Sequence, residues 1–171
     1  MMRASTGIKA KRKKDEGFVP HPYLDPKGNT RGLYSIGYGH QIQPGEKARL
    51  MSSTWTEGQA SAQFDIDSMV VENAINRNLI RPVTQNQFDA LYQFGYNCGI
   101  GAMGNIAKIW NTTNDSIQVK AHIKMYDHVT ISPATSTAAK VTKVDSALSV
   151  LREYEANLWD GEINFTEKKN G

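Results

Sequence analysis

Cysteine is almost absent from this chain of 171 residues, in which Cys98 is the only one. A single cysteine excludes an internal disulfide framework, and this scarcity suits synthesis in a reducing cytoplasm. Cys98 follows an apolar run, which favours a packing role over a nucleophilic one. The chain is nevertheless long enough to bury a sizeable core without disulfides or a structural metal.

Long apolar runs are lacking as well. No stretch approaches the length of a transmembrane helix, and residues 1–7 lack the apolar segment of a signal peptide. We therefore expect the protein to accumulate in the cytoplasm in which it is made. If its target lies outside that compartment, another component must carry it there.

The sequence has little excess charge and no motif for a metal or a nucleotide. A net charge of +3 favours approach to polyanions such as DNA or cell wall without choosing between them. The basic run at residues 11–14 has no interleaved aromatic residues, so we interpret it as a solvated helix face and expect no nucleic-acid partner. His21, His122 and His128 lack metal-binding spacing. We expect no metal and no cofactor.

Glycine and proline are concentrated in residues 17–45, which predicts a small, turn-rich antiparallel sheet. From residue 56 onward the pattern is helical, with a capping box at residues 56–59 and another at residues 84–87. The expected fold is α+β, a single domain over residues 1–171. It comprises a β lobe at about 16–55, a linking helix at about 57–80 and a helical lobe at about 1–15 and 81–160, with a cleft between the lobes.

Within the helical lobe, Gly99, Gly101 and Gly104 are expected to break the chain. Shorter helices are predicted over residues 105–112 and 116–127, the second capped by Asp115. Residues 129–142 are rich in Ser, Thr and Ala and are predicted to form a loop. A last helix is expected at about 143–158 from its apolar stripe.

Two carboxylates mark the candidate chemistry. Glu16 lies at a predicted helix end, and Asp25 lies nine residues later in a turn-rich segment. Cleaving a glycosidic bond requires one protonated carboxylic acid and a second carboxylate that activates water or stabilises positive charge on the sugar. By spacing alone the pair is a weak signal, because a surface charge at Glu16 and a turn-stabilising role for Asp25 are common alternatives.

The order of three motifs adds weight. Glu-Gly at residues 16–17, Tyr-x-Asp at 23–25 and Ser-Ile-Gly-Tyr-Gly-His at 35–40 resemble the phage-type lysozyme or endolysin family, glycoside hydrolase family 24. Residues 83–91 and 94–102 resemble the second, helix-rich motif of that family. Residues 151–159 resemble its C-terminal Arg-x-x-Glu-x-x-Leu-Trp helix. The resemblance implies that the α+β fold is lysozyme-like.

The resemblance implies catalytic roles for three residues. Glu16 matches the general acid, which must hold its proton near neutral pH. Asp25 matches the carboxylate that positions water or stabilises the developing oxocarbenium ion. Ser35 takes the place of a catalytic threonine, keeping the hydroxyl but losing the methyl that restricts its rotamer. The loop before Ser35 is about four residues longer than the family pattern, which leaves the register of the hairpin open.

Supporting roles follow from the same resemblance. His40 matches a structural histidine, and Asp67 is its candidate partner on the linking helix. Arg152 matches an arginine of the C-terminal helix that approaches the catalytic glutamate. Tyr96 and Asn97 are expected to contact substrate.

The implied activity is that of a muramidase, which hydrolyses the β-1,4 bond between N-acetylmuramic acid and N-acetylglucosamine for bacterial cell lysis or phage entry. Two alternatives stay open: a lytic transglycosylase, and a non-catalytic wall-binding virion protein. We expect a monomer whose partners are peptidoglycan and either a holin-type pore or other virion proteins. Its expected location is the host bacterial cytoplasm before release to the cell wall, or the virion.

Overall fold

The computed structural model describes residues 1–24, 33–131 and 141–163. The chain divides into two compact units. We call Lys9–Val70 the sheet unit, and Met1–Ile8 together with Val71–Gly171 the helical unit. The first helix of the chain lies in the sheet unit from Lys9 onward.

Among the described residues, the sheet unit contains three α-helices, one 3₁₀ turn and three short strands. In chain order these are α1 (Thr6–Glu16), β1 (Val19–Leu24), β2 (Tyr34–Gly37), β3 (His40–Gln41), a 3₁₀ turn (Pro44–Glu46), α2 (Lys47–Leu50) and α3 (Glu57–Asn78), with α1 beginning and α3 ending in the helical unit. The strands form an antiparallel sheet in the order β1-β2-β3. The predicted small antiparallel sheet is confirmed.

The pairing of β1 with β2 contains one irregularity. Val19 pairs with Gly37 and Tyr23 pairs with Ser35, and the register shifts between these two pairs. Pro20 lies in that interval, and proline cannot donate a hydrogen bond to a neighbouring strand. The register shift therefore coincides with the position where proline interrupts the hydrogen bonding between β1 and β2. Ser35 itself is regularly paired with Tyr23.

The sheet unit has its own small core. Ile36, Ile42 and Leu50 are buried, and Tyr34 and Trp55 pack against them. Burying an aliphatic side chain of this size contributes about 1.5–3 kcal/mol. This core fixes one face of β2, because side chains alternate between the faces of a strand.

In its described residues, the helical unit contains four further helices and a pair of strands. They are α4 (Gln85–Cys98), α5 (Ile100–Thr113), α6 (Ser116–Lys124), β4 (His128–Ile131), β5 (Val141–Val144) and α7 (Ser146–Asp160). Its core is formed by apolar side chains from the N-terminal segment, the end of α3 and α4–α7, among them Ala4, Ile8, Ile75, Phe88, Leu91, Phe94, Ile106, Ile123, Leu158 and Trp159.

The predicted helix starts are confirmed by their hydrogen bonds. The Thr84 hydroxyl accepts from the backbone N–H of Gln87 at 3.3 Å, and the Gln87 side chain accepts from the Thr84 N–H at 2.9 Å. Thr56 and Gln59 form the same reciprocal pair at the start of α3. The predicted cap at Asp115 accepts from the N–H groups of Ile117 and Gln118. These contacts satisfy donors that a helix start leaves without partners.

The predicted break at Gly101 and Gly104 is wrong, since α5 begins at Ile100 and runs through both. Of the three glycines Gly99, Gly101 and Gly104, only Gly99, with φ +88°, adopts a conformation that favours glycine. A Cβ atom on Gly104 would lie 3.3 Å from Oδ1 of Asn78. Glycine at that position therefore serves close packing and does not end a helix.

The predicted loop at 129–142 is wrong at both ends, because β4 and β5 form an antiparallel hairpin from His128↔Val144 to Ile131↔Val141. These strands are rich in β-branched residues, which favour extended backbone. Residues 132–140 lie outside the described residues. The last helix begins at Ser146 with Asp145 as its cap, three residues later than predicted. Similarly, α6 ends at Lys124 and not at residue 127.

None of the helices within residues 1–24, 33–131 and 141–163 combines the length and apolar character needed to cross a membrane.

Candidate active site

Glu16 is the last residue of α1. The helix stops here because Gly17 takes a left-handed conformation with φ +70°, and its N–H donates to the carbonyl of Lys13 at 3.0 Å. This is a common way of ending a helix. The Glu16 side chain is 20% exposed, so its carboxyl group is largely enclosed but still reachable.

The turn between β2 and β3 lies against this carboxyl group. Gly39 has φ +76°, and a Cβ atom built on it would lie 2.8 Å from Oε2 of Glu16. Gly37 has φ +69°, and a Cβ atom there would lie 2.9 Å from the Trp55 ring. Two independent reasons therefore favour glycine at both positions of the Gly-Tyr-Gly-His motif. The backbone is left-handed there, and a side chain would collide with its neighbours.

Arg12 forms an ion pair with Glu16 from one turn earlier in α1, its Nη2 donating to Oε1. Only 4% of the Arg12 side chain is exposed. The interpretation of residues 11–14 as a solvated face is therefore wrong for Arg12. It is also wrong for Lys13, whose Nζ lies 3.1 Å from the Ser61 hydroxyl and 5.4 Å from the centre of the Tyr38 ring.

Two local fields act on Glu16 in opposite directions. A carboxylate at a helix C-terminus is disfavoured by the helix dipole, by about 0.3–1 kcal/mol at an exposed site. The guanidinium of Arg12 favours the same carboxylate, because an opposite charge stabilises the ionised form. The sequence contained a signal for this pair, since residues four apart on a helix are neighbours.

Ser35 lies in the middle strand of the sheet, where it pairs with Tyr23 on one side and Gln41 on the other. It is 1% exposed. Because Tyr34 and Ile36 pack into the core of the sheet unit, Ser35 faces the opposite side of the sheet. Asp25, its predicted partner in handling water, lies outside the described residues.

His40 is buried between two carboxylates. Its Nδ1 lies 2.9 Å from Oδ2 of Asp67, the partner that the sequence predicted, and its Nε2 lies 3.2 Å from Oε2 of Glu46. The imidazole stacks on the Trp55 ring with 5.8 Å between centroids. Glu46 was missed, although it is the last member of a capping box with Gln43 that could have drawn attention to it.

The carboxylates determine how His40 titrates. Burial by itself lowers the pKa of His40, but the hydrogen bonds and negative charges of Asp67 and Glu46 outweigh burial and raise that pKa. The pKa of Glu46 is lowered, first by the backbone N–H of Gln43 and then by His40 and Arg49. The cluster therefore favours a protonated imidazole between the two carboxyl groups, an arrangement that anchors β3 to α3.

The remaining candidates lie in the helical unit. Arg152 is buried, and its Nη2 donates to Oδ1 of Asn97 at 2.6 Å. Its guanidinium also lies 5.1 Å from the centre of the Phe94 ring and pairs with the buried Glu155. The structure thus joins two of the predicted residues, Arg152 and Asn97. Tyr96 is half-buried next to Tyr92, with 5.9 Å between ring centres.

In the described part of the chain, no group of three or more His, Cys, Asp and Glu side chains is arranged to hold a metal ion.

Comparison with solved structures defines the class of fold. The chain is similar to the endolysin from Escherichia coli O157:H7 phage FAHEc1, with a TM-score of 0.74, 28% sequence identity and coverage of 96% of this chain and 98% of that one. Its three-stranded antiparallel sheet and accompanying helices are therefore a lysozyme-like fold.

Sequence comparison gives the family. The phage lysozyme family model matches residues 13–141, a segment that contains Glu16, Ser35, His40 and Asp67. The chain belongs to the phage lysozyme family, as the order of its motifs predicted.

Curated relatives match over shorter stretches. The endolysin of Bacillus phage PZA is 39% identical over 73 residues, which are 43% of this chain and 27% of that protein. The endolysin of Salmonella phage P22 is 31% identical over 102 residues, covering 60% of this chain and 67% of that protein. The chain thus spans about a quarter of the length of the first of these relatives.

Proposed function

We propose that this protein is a muramidase that hydrolyses the β-1,4 bond between N-acetylmuramic acid and N-acetylglucosamine in bacterial peptidoglycan. The observation that carries the proposal is the carboxyl group of Glu16, which lies at the end of α1 against the backbone of Gly39. A largely enclosed acid with a partly exposed carboxyl is the group that glycosidic cleavage requires for its leaving oxygen.

In the proposed reaction Glu16 gives its proton to the oxygen that leaves C1 of N-acetylmuramic acid. A water molecule bonds to that carbon and gives up its proton to Asp25, while the Ser35 hydroxyl orients the water. Inversion by this route requires the two carboxyl groups to be about 6.5–9.5 Å apart. His40 and Asp67 support the site by holding β3 against α3. General acid catalysis of this kind contributes about 10²–10⁴-fold.

The proposal extends to partners and location. The substrate is the peptidoglycan of the host bacterium, and the active protein is a monomer. It accumulates in the host cytoplasm and reaches the wall through a holin-type pore, or it is packaged in the virion with other virion proteins. In the helical unit, Tyr96 and Asn97 are proposed to contact the glycan, and Arg152 orients Asn97.

Clearing of a suspension of permeabilised Gram-negative cells tests the activity. Wild type should clear the suspension, and Glu16→Gln should lose at least 100-fold in rate while keeping the native fold. Asp15→Asn is the matched control, since it removes a neighbouring acid that pairs with Lys11 on the helix surface. Equal and poor clearing by wild type and Glu16→Gln at saturating protein would favour a non-catalytic wall-binding protein.

Analysis of the digested peptidoglycan separates the two enzymatic outcomes. Hydrolysis leaves a reducing N-acetylmuramic acid end, with one water added for each bond cleaved. A lytic transglycosylase would leave an anhydro-muramic end, because a hydroxyl of the sugar replaces water. Asp25→Asn and Ser35→Ala should each slow hydrolysis without changing the product, since both residues are assigned to the water.

A further inference from the structure

We propose that Arg12 is a positioning residue that orients the carboxyl group of Glu16, so that Oε2 of Glu16 carries the catalytic proton. The inference rests on the proposed muramidase function and assigns to that site a residue outside the predicted set. Its basis is the different environment of the two carboxyl oxygens of Glu16. Arg12 donates to Oε1, whereas Oε2 faces the side-chain-free backbone of Gly39.

The burial of Arg12 argues against an ordinary helix-surface ion pair. Exposed pairs between residues four apart on a helix contribute only about 0.3–0.5 kcal/mol. Withdrawing a guanidinium from water costs several kcal/mol unless its partners compensate. Arg12 is 4% exposed and Glu16 is 20% exposed, so the pair is held inside the sheet unit.

Hydrogen-bond chemistry determines which oxygen holds the proton. A guanidinium only donates hydrogen bonds, so the oxygen that it contacts must act as an acceptor. When Glu16 is protonated, Oε1 is therefore the carbonyl oxygen and Oε2 bears the hydrogen. Gly39 places no side chain in front of Oε2, and any larger residue there would collide with it.

After proton transfer Arg12 has a second effect. Loss of the proton from Oε2 leaves a carboxylate at the C-terminal end of α1, where the helix dipole disfavours negative charge. The Arg12 guanidinium offsets this cost through a hydrogen bond that is already formed. Two neighbouring cations of α1 are engaged elsewhere, Lys11 with Asp15 and Lys13 with Ser61.

Steady-state hydrolysis by Arg12→Met, Arg12→Lys and Lys11→Met tests the assignment. Lys11→Met is the matched control, because it removes an ion pair of the same spacing from the same helix. Arg12→Met should lower kcat by about 10- to 100-fold with KM changed less than about twofold, as expected when a reacting group loses its orientation. Arg12→Lys should recover part of kcat, since it keeps the charge but not the planar fork.

A kcat of wild-type size in Arg12→Met, or equal losses in Arg12→Met and Lys11→Met, would overturn the positioning role. The melting temperatures of Arg12→Met, Glu16→Gln and the double variant test the pair without any activity. Coupled residues give losses that do not add, whereas additive losses would refute the coupling. An inactive wild type would refute the proposed function and the catalytic part of this inference. The melting temperatures of the single and double variants would then still decide whether Arg12 and Glu16 are coupled.

Discussion

Oε2 of Glu16 lies 2.8 Å from the position that a Cβ atom would occupy on Gly39. This close approach joins the end of α1 to the turn between β2 and β3, and thus two residues that lie more than twenty positions apart in the chain. It links the Glu-Gly and Gly-Tyr-Gly-His motifs physically, because Gly39 has no side chain and so leaves room for the carboxyl group of Glu16.

Gly39→Ala should therefore lose both stability and activity. Left-handed backbone costs a residue with a side chain about 1–2 kcal/mol, and the overlap with the Glu16 carboxyl adds to that cost. Thermal unfolding and the clearing assay measure the two effects. Gly45→Ala is the control, because a Cβ atom there meets nothing within 4 Å and it should change stability by less than about 0.5 kcal/mol. Similar behaviour of the two variants would refute the contact.

His40→Gln should destabilise the protein more at pH 5 than at pH 8. The pKa of His40 is raised in the folded protein by Asp67 and Glu46. Protonated His40 therefore contributes stability that is fully present below its unfolded pKa of about 6.5, and this stability is lost as pH rises through the folded-state pKa. The lowered pKa of Glu46 keeps that acid charged at pH 5.

Urea unfolding of both proteins across this pH range measures the difference. His21→Gln is the control, since His21 is an exposed histidine of the same unit that contacts only a hydroxyl, that of Thr54, among the described contacts. A stability difference between wild type and His40→Gln that stays constant from pH 5 to pH 8 would show that the carboxylates do not act on His40 as described.

Arg152→Met should strongly destabilise the protein. Removing the guanidinium leaves the buried Glu155 without this cation and takes a donor from Asn97. Breaking a buried ion pair in this way costs about 3–5 kcal/mol, which corresponds to roughly 6–20 °C in Tm for a chain of this size. Glu153→Gln, which disrupts an exposed pair with Lys124, should cost less than about 1 kcal/mol. Comparable losses in the two variants would contradict the burial of Arg152.

Thr84→Ala should cost about 1 kcal/mol by removing the cap of α4. The variant loses the hydroxyl that accepts from the N–H of Gln87. Thr112→Ala serves as the control, because the Thr112 hydroxyl donates back to the carbonyl of Lys108 within α5. Alanine has the higher helix propensity, so Thr112→Ala should be neutral or slightly stabilising in chemical denaturation. A neutral Thr84→Ala would show that the capping box contributes little.

Some features could be predicted because their causes are local. The capping residues Thr56, Thr84 and Asp115 act on N–H groups two or three positions away, so their effect is visible in the sequence. The hairpin of β4 and β5 escaped prediction, since its strands are short and stabilise each other across an interval of other residues. Glycine was misread at Gly104, where tertiary packing against Asn78 outweighs propensity.

The candidate active site shows the same distinction between features with local causes and features decided by tertiary packing. By itself, the sequence determined the family, the antiparallel sheet, the pairing of His40 with Asp67 as an expectation, and Glu16 as the candidate acid. Only the tertiary structure decided that Arg12 is buried against Glu16, that Glu46 is a second partner of His40, and that Arg152 holds Asn97. The predicted approach of Arg152 to Glu16 stays a prediction. The physical reason is that a residue type shows which bonds a side chain can form, whereas burial and the packing of distant segments decide which of those bonds form.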